Sequence, residues 1–114
     1  MTLAAGYVYD FDPEVELGPW KGGRHPGLIV GVSQGGVTLL PLSTSAPRGP
    51  DRAHGYELTE AGDVLSTPIW VYCHLPYTFS AERVKKGKCR GRLPHGAMGP
   101  AKDRMAHYLR LPLA

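Results

Sequence analysis

Two apolar runs separated by a three-residue turn constrain this chain more than any other feature. Leu28, Ile29, Val30 and Val32 form the first run; Val37, Leu39, Leu40 and Leu42 form the second. Gln34-Gly35-Gly36 stands between them. Glycine adopts positive φ without a Cβ clash, so this is hairpin chemistry. Pairing the runs brings their outer ends together. Arg24 and His25 then stand close to Ser43, Thr44 and Ser45. A guanidinium, an imidazole and hydroxyls meet at one end of a rigid frame, and that end is the candidate site.

A chain of 114 residues is the size of one domain, so residues 1–114 are read as a single one. Fifteen glycines and eleven prolines argue for short strands and many turns rather than a helical bundle. A net charge of +3 helps the chain meet nucleic acid without requiring it. Cys73 and Cys89 lack a CxxC spacing and read as free thiols, Cys73 in the core. The five histidines lack metal-ligand spacing, so neither metal nor cofactor is expected. Residues 1–5 lack the charged start of a signal peptide. No apolar run approaches the roughly 20 residues of a membrane span. The expected location is the cytoplasm.

Along the chain, Tyr7, Tyr9 and Phe11 alternate with Val8 and Asp10, which is a strand period. Asp12-Pro13 ends that strand. Trp20 and Lys21 follow on a glycine-rich loop, where an aromatic can stack a base or fold back as a lid. Residues 46–55 read as a basic loop carrying Arg48, Arg52 and His54. Residues 56–65 read as a weak strand or turn. Residues 69–73 read as a buried strand, with Trp70 and Tyr72 opposite Ile69, Val71 and Cys73, and His74 at its end. Residues 79–84 read as a short helical turn or a strand. Residues 85–92 carry Lys85, Lys86, Lys88, Arg90 and Arg92; their glycines favour strand–turn–strand, and the run is a candidate phosphate-contact surface. Residues 97–109 have helical spacing of Met98, Ala101, Met105 and Tyr108.

Three blocks, GYVYDFDP (6–13), GGRHPGLIVGVS with LLPLSTS (22–33 and 39–45), and VYCHLPYTFS (71–80), occur in the order seen in one family. The chain resembles the MazF/PemK/Kid toxins of toxin–antitoxin pairs. The resemblance implies a mainly β, α+β fold: a small SH3-like barrel with a C-terminal helix. It implies a metal-independent endoribonuclease acting on single-stranded RNA, with a cognate antitoxin and a homodimer as partners. RNA cleaves when its 2′-OH attacks the neighbouring phosphorus, which needs a base, an acid and donors to the phosphoryl oxygens. Arg24 suits the phosphate, His25 and His74 the proton transfers, and Ser43 or Thr44 the developing charge. Trp20, Lys21, Arg48, Lys86, Lys88 and Arg90 are assigned to RNA binding. The chain departs from the family pattern: His25 stands where an Arg precedes the Pro, Ser43 where a Thr stands, and His74 where an acid follows the strand. The alternative is a catalytically degenerate barrel that binds RNA or protein. A gyrase poison of the same barrel type is a further reading, against which the tail at 111–114 lacks a Trp.

Overall fold

The computed structural model describes residues 3–14, 23–94, 96, 99–101 and 103–104. In chain order its strands are β1 (Tyr7–Phe11), β2 (His25–Ser33), β3 (Gly36–Ser43), β4 (Gly55–Leu58), β5 (Ile69–Tyr72), β6 (Tyr77–Phe79) and β7 (Lys88–Arg92). They form one sheet in the order β4-β5-β3-β2-β1-β7, with β6 also paired to β3. All the pairings are antiparallel.

The central hairpin forms as its sequence predicts. β2 and β3 pair from Ser33↔Gly36 at the turn to Gly27↔Pro41 near the open end. Gly36 takes φ 136°, which an L side chain rarely adopts. The register shifts at Val30. Two residues beyond it, Val32 is 49% exposed, the one large apolar side chain so exposed among the described residues.

Both faces of the sheet are buried, which is why the hairpin strands read as nearly continuous apolar runs. Val8, Leu28, Leu40, Leu42, Ile69, Val71 and Cys73 belong to one cluster, closed by Leu58, Val64, Leu65 and Leu93. Tyr9, Phe11, Ile29, Val37, Leu39 and Phe79 belong to the other, closed by Val84 of the helix α1 (Ala81–Lys85). The expected alternation in β1 is therefore real, with each set of side chains finding its own core. Cys73 is fully buried, and burial pushes its thiol up to about 11. Both cysteines are free.

Two local expectations are corrected. Residues 49–54, within the expected loop, form a 3-10 helix (Gly49–His54) with Pro near its start, where the missing N–H costs nothing. The basic run does not begin as a strand: Lys85 ends α1 and Lys86 caps it. Ser80 starts that helix, its hydroxyl accepting from the Arg83 N–H at 3.2 Å. Gly87 then turns the chain where the backbone passes against Asp10 and Phe11; a Cβ there would lie 2.6 Å from Phe11 Cβ and closer still to the Asp10 carbonyl oxygen. Only the second half of the run is a strand, β7.

The weak strand of residues 56–65 is β4 followed by turns, and both readings of residues 79–84 are realised, as the end of β6 and α1. Of the expected C-terminal helix, residues 99–101 and 103–104 are helical; its other residues lie outside the described ones. Among the described residues no helix is long and apolar enough to cross a membrane.

Candidate functional site

The open end of the β2–β3 hairpin is built from its register. Gly27 pairs with Pro41, so the same register carried two residues further sets His25 opposite Ser43, the first and last residues of their strands. Opposed residues share a face with Cβ atoms about 5 Å apart. His25 is also paired with Phe11 on β1, and Ser43 with Trp70 on β5. The end of the hairpin is thus bracketed by strands on both sides. Both His25 and Ser43 are half-buried, and Thr44 beside them is exposed.

The Ser43 hydroxyl accepts from the Ser45 N–H at 3.2 Å, a local turn that leaves its own proton available to donate. Tyr72 donates to the Ser45 carbonyl at 2.7 Å and fixes the same loop from the β5 side.

Arg24 precedes β2 and is not bound by strand alternation. Its Nη2 donates to the Lys86 carbonyl at 3.2 Å, across to the end of α1. There it lines a depression of ≈250 Å³ with Asp12, Glu14, Arg83, Lys86 and Gly87. Arg83 closes the far side: it donates to the Pro13 carbonyl at 3.0 Å and pairs with Glu14 at 3.3 Å. Glu14 has φ 63°, and its N–H donates to Asp12 Oδ1 at 2.8 Å. The five-residue α1 therefore holds the end of the β1 exit and, through Lys86, the residue that enters β2. No local motif signals the Arg83 contact with Pro13, which joins residues 70 apart.

His74 stands elsewhere. β5 meets Ser43 at Trp70 and runs away from it, so His74 lies further along and two strands from His25 in the sheet order. Its ring stacks on Tyr72 at 6.0 Å and lies 4.9 Å from His54. It is linked to the hydroxyl loop through Tyr72. Burial lowers its pKa from 6.5; Asp51 opposes this, and His54 adds to it. His54 Nε2 is 3.8 Å from the Asp51 carboxylate.

Of the residues assigned to RNA, Arg48 is exposed at the start of the 3-10 helix. Lys86, Lys88 and Arg90 are exposed along the α1 end and β7. Arg90 is paired with Asp10 at 2.6 Å. Trp20 and Lys21 lie outside the described residues. Among the described residues no group of three or more His, Cys, Asp or Glu side chains is placed to hold a metal.

No protein-family model matches the chain, and no curated protein matches it. Solved structures do. An endoribonuclease in complex with its cognate antitoxin from a mycobacterial species aligns at TM-score 0.69 and 21% identity, over 96% of this chain and 97% of that one. MazF from Deinococcus radiodurans aligns at TM-score 0.68 and 15% identity, over 94% and 96%. The MazE–MazF structure from the same organism aligns at 0.67 and 14%, over 95% of each chain. The chain has the MazF fold. At these identities the likeness lies in the path of the backbone, and it runs nearly end to end. Within the MazF fold of this chain, His25, Ser43 and Trp70 are neighbours on adjacent strands, while Arg24 is held on α1 and His74 on the β5 side.

Proposed function

We propose that this chain is a toxin-like endoribonuclease of the MazF type. It cleaves single-stranded RNA without a metal, as the toxin of a toxin–antitoxin pair. The observation that carries this reading is the register that sets His25 opposite Ser43 at the hairpin end, in a fold shared with solved endoribonucleases; Arg24, next in sequence to His25, stands on the α1 side of that end. An antitoxin and a second copy of the chain are the partners this reading requires. The neighbours solved with MazE or a cognate antitoxin support the first.

The chemistry is an intramolecular displacement. The 2′-oxygen attacks phosphorus as a base takes its proton, the P–O5′ bond breaks, and an acid protonates the 5′-oxygen. The products are a 2′,3′-cyclic phosphate and a 5′-hydroxyl. Arg24 binds the phosphoryl oxygens through its planar fork. Ser43, with Thr44 next to it, donates to the charge that develops on them. His74 lies further along the β5 side and two strands from His25, so it does not share this phosphate with His25 and takes no proton-transfer role here. His25, at the strand end beside Ser43, acts as the acid.

The test is direct. Purified protein incubated with single-stranded RNA in EDTA should yield fragments ending in cyclic phosphate. Activity that EDTA abolishes and a divalent ion restores would overturn the metal-free mechanism. RNA that is bound but left intact would establish the binding-module alternative.

A further inference from the structure

We propose that Trp70 is a base-stacking platform that seats the nucleobase next to the phosphate faced by Ser43. The inference rests on the endoribonuclease reading and adds to it a subsite for one unpaired base of single-stranded RNA.

Position is the first argument. Ser43 and Trp70 are a register pair of β3 and β5, so their side chains leave the same face with Cβ atoms about 5 Å apart. A nucleotide whose phosphate meets the Ser43 hydroxyl has its base within reach of that indole.

Burial is the second. The strand neighbours Ile69 and Val71 are buried in the core, at 5% and 0% exposure. Trp70 points the other way and is half-buried. The inner core is complete without it. Its ring edge instead rests near Gly55, where a Cβ would come within 3.0 Å of Trp70 Cε3.

Charge is the third. The Arg52 guanidinium lies over the indole, 5.6 Å from its centroid. A planar cation already occupies the kind of contact that a flat base makes, and a base and an arginine stack together on aromatics. On the other flank Glu57, paired with Trp70 across β4–β5, is exposed. A carboxylate repels the phosphate backbone. The surface beside it therefore suits a neutral base rather than the sugar–phosphate chain. Tyr72, two residues on and on the same face, holds the hydroxyl loop through Ser45.

The experiment uses the full chain and the shortest RNA the parent cuts, made uncleavable by a 2′-deoxy nucleotide at the scissile position. A second copy of the oligonucleotide is abasic at the nucleotide adjoining that phosphate. Trp70→Leu keeps apolar bulk and removes the ring. It should weaken binding of the intact oligonucleotide by about 5- to 100-fold, the range for loss of one base–aromatic stack. It should leave binding of the abasic one nearly unchanged. Trp70→Phe should recover most of the loss. An equal loss on both oligonucleotides, as misfolding would give, or no loss on either, overturns the subsite while leaving the endoribonuclease reading intact. A parent that neither binds nor cuts RNA overturns both.

Discussion

Arg24 and Lys86 are joined side chain to main chain: the Arg24 guanidinium donates to the Lys86 carbonyl at 3.2 Å, although 62 residues separate them. The contact aims an arginine that strand alternation would otherwise leave undirected, and it ties the start of β2 to the end of α1. Arg24→Ala should lower RNA cleavage by about 10²–10³-fold, the usual loss for a donor to transition-state charge. Arg24→Lys should restore only part of this, because an ammonium lacks the planar fork. Single-turnover cleavage measures both, and parental rates would reduce Arg24 to a structural tie.

His25→Ala should reduce cleavage by roughly 10²–10⁴-fold, as for a positioned proton-transfer group. Affinity for a 2′-deoxy analogue should stay near the parent's. A variant that loses binding and cleavage in parallel would make His25 a binding residue instead.

His74 has a folded-state pKa lowered below 6.5, chiefly by burial, while His54 and Asp51 face it. The unfolded chain thus binds its proton first as pH falls. The stability this group contributes is complete above about pH 6.5, declines below it, and is fully lost below the lowered value. His74→Gln should flatten urea-denaturation stability in that acidic window. The low-pH limb of the cleavage profile should be the same in the variant as in the parent, because His74 lies apart from His25 and Ser43.

The hairpin was legible because Gln34-Gly35-Gly36 separates two apolar runs and because every residue involved is local. The inward Ile69, Val71 and Cys73 and the outward Trp70 and Tyr72 were legible for the same reason: a period of two needs no partner strand. Which strand lies beside which was not. Ser43 meets Trp70 only because β5 pairs directly with β3, while β4, which separates them in sequence, lies on the outer side of β5; that register has no signature in either segment alone. The 3-10 helix was hidden by Gly49 and Pro50, which mark breaks as readily as helix starts. The lysines of residues 85–88 looked alike, yet Gly87 divides them between a helix end and a strand because the β1 backbone passes there.

Gly87→Ala should therefore destabilise the fold by about 1–3 kcal/mol, the cost of forcing extra volume into a packed contact. The new methyl meets backbone rather than a movable side chain. A urea midpoint equal to the parent's would mean that β7 shifts freely against β1.

Arg83→Ala should cost only about 1 kcal/mol of stability, because its ion pair is solvated, at 37% and 59% side-chain exposure. Its larger effect should fall on RNA affinity, through loss of the Pro13 and Glu14 anchors beside the Arg24 depression. Arg83→Lys should keep the charge and lose the two-pronged grip. A rise in KM with kcat held would distinguish this from damage to the chemistry.

The burial of Cys73 makes the chain a clock of its own opening. A thiol pushed to about 11 and sealed in the core is closed to alkylating reagents while the sheet is intact. Cys89, half-buried on β7, takes the label first. Every second modification then records one excursion in which β5 parted from its neighbours. Mass spectrometry of a timed maleimide reaction would count those excursions under native conditions, with no denaturant and no engineered probe.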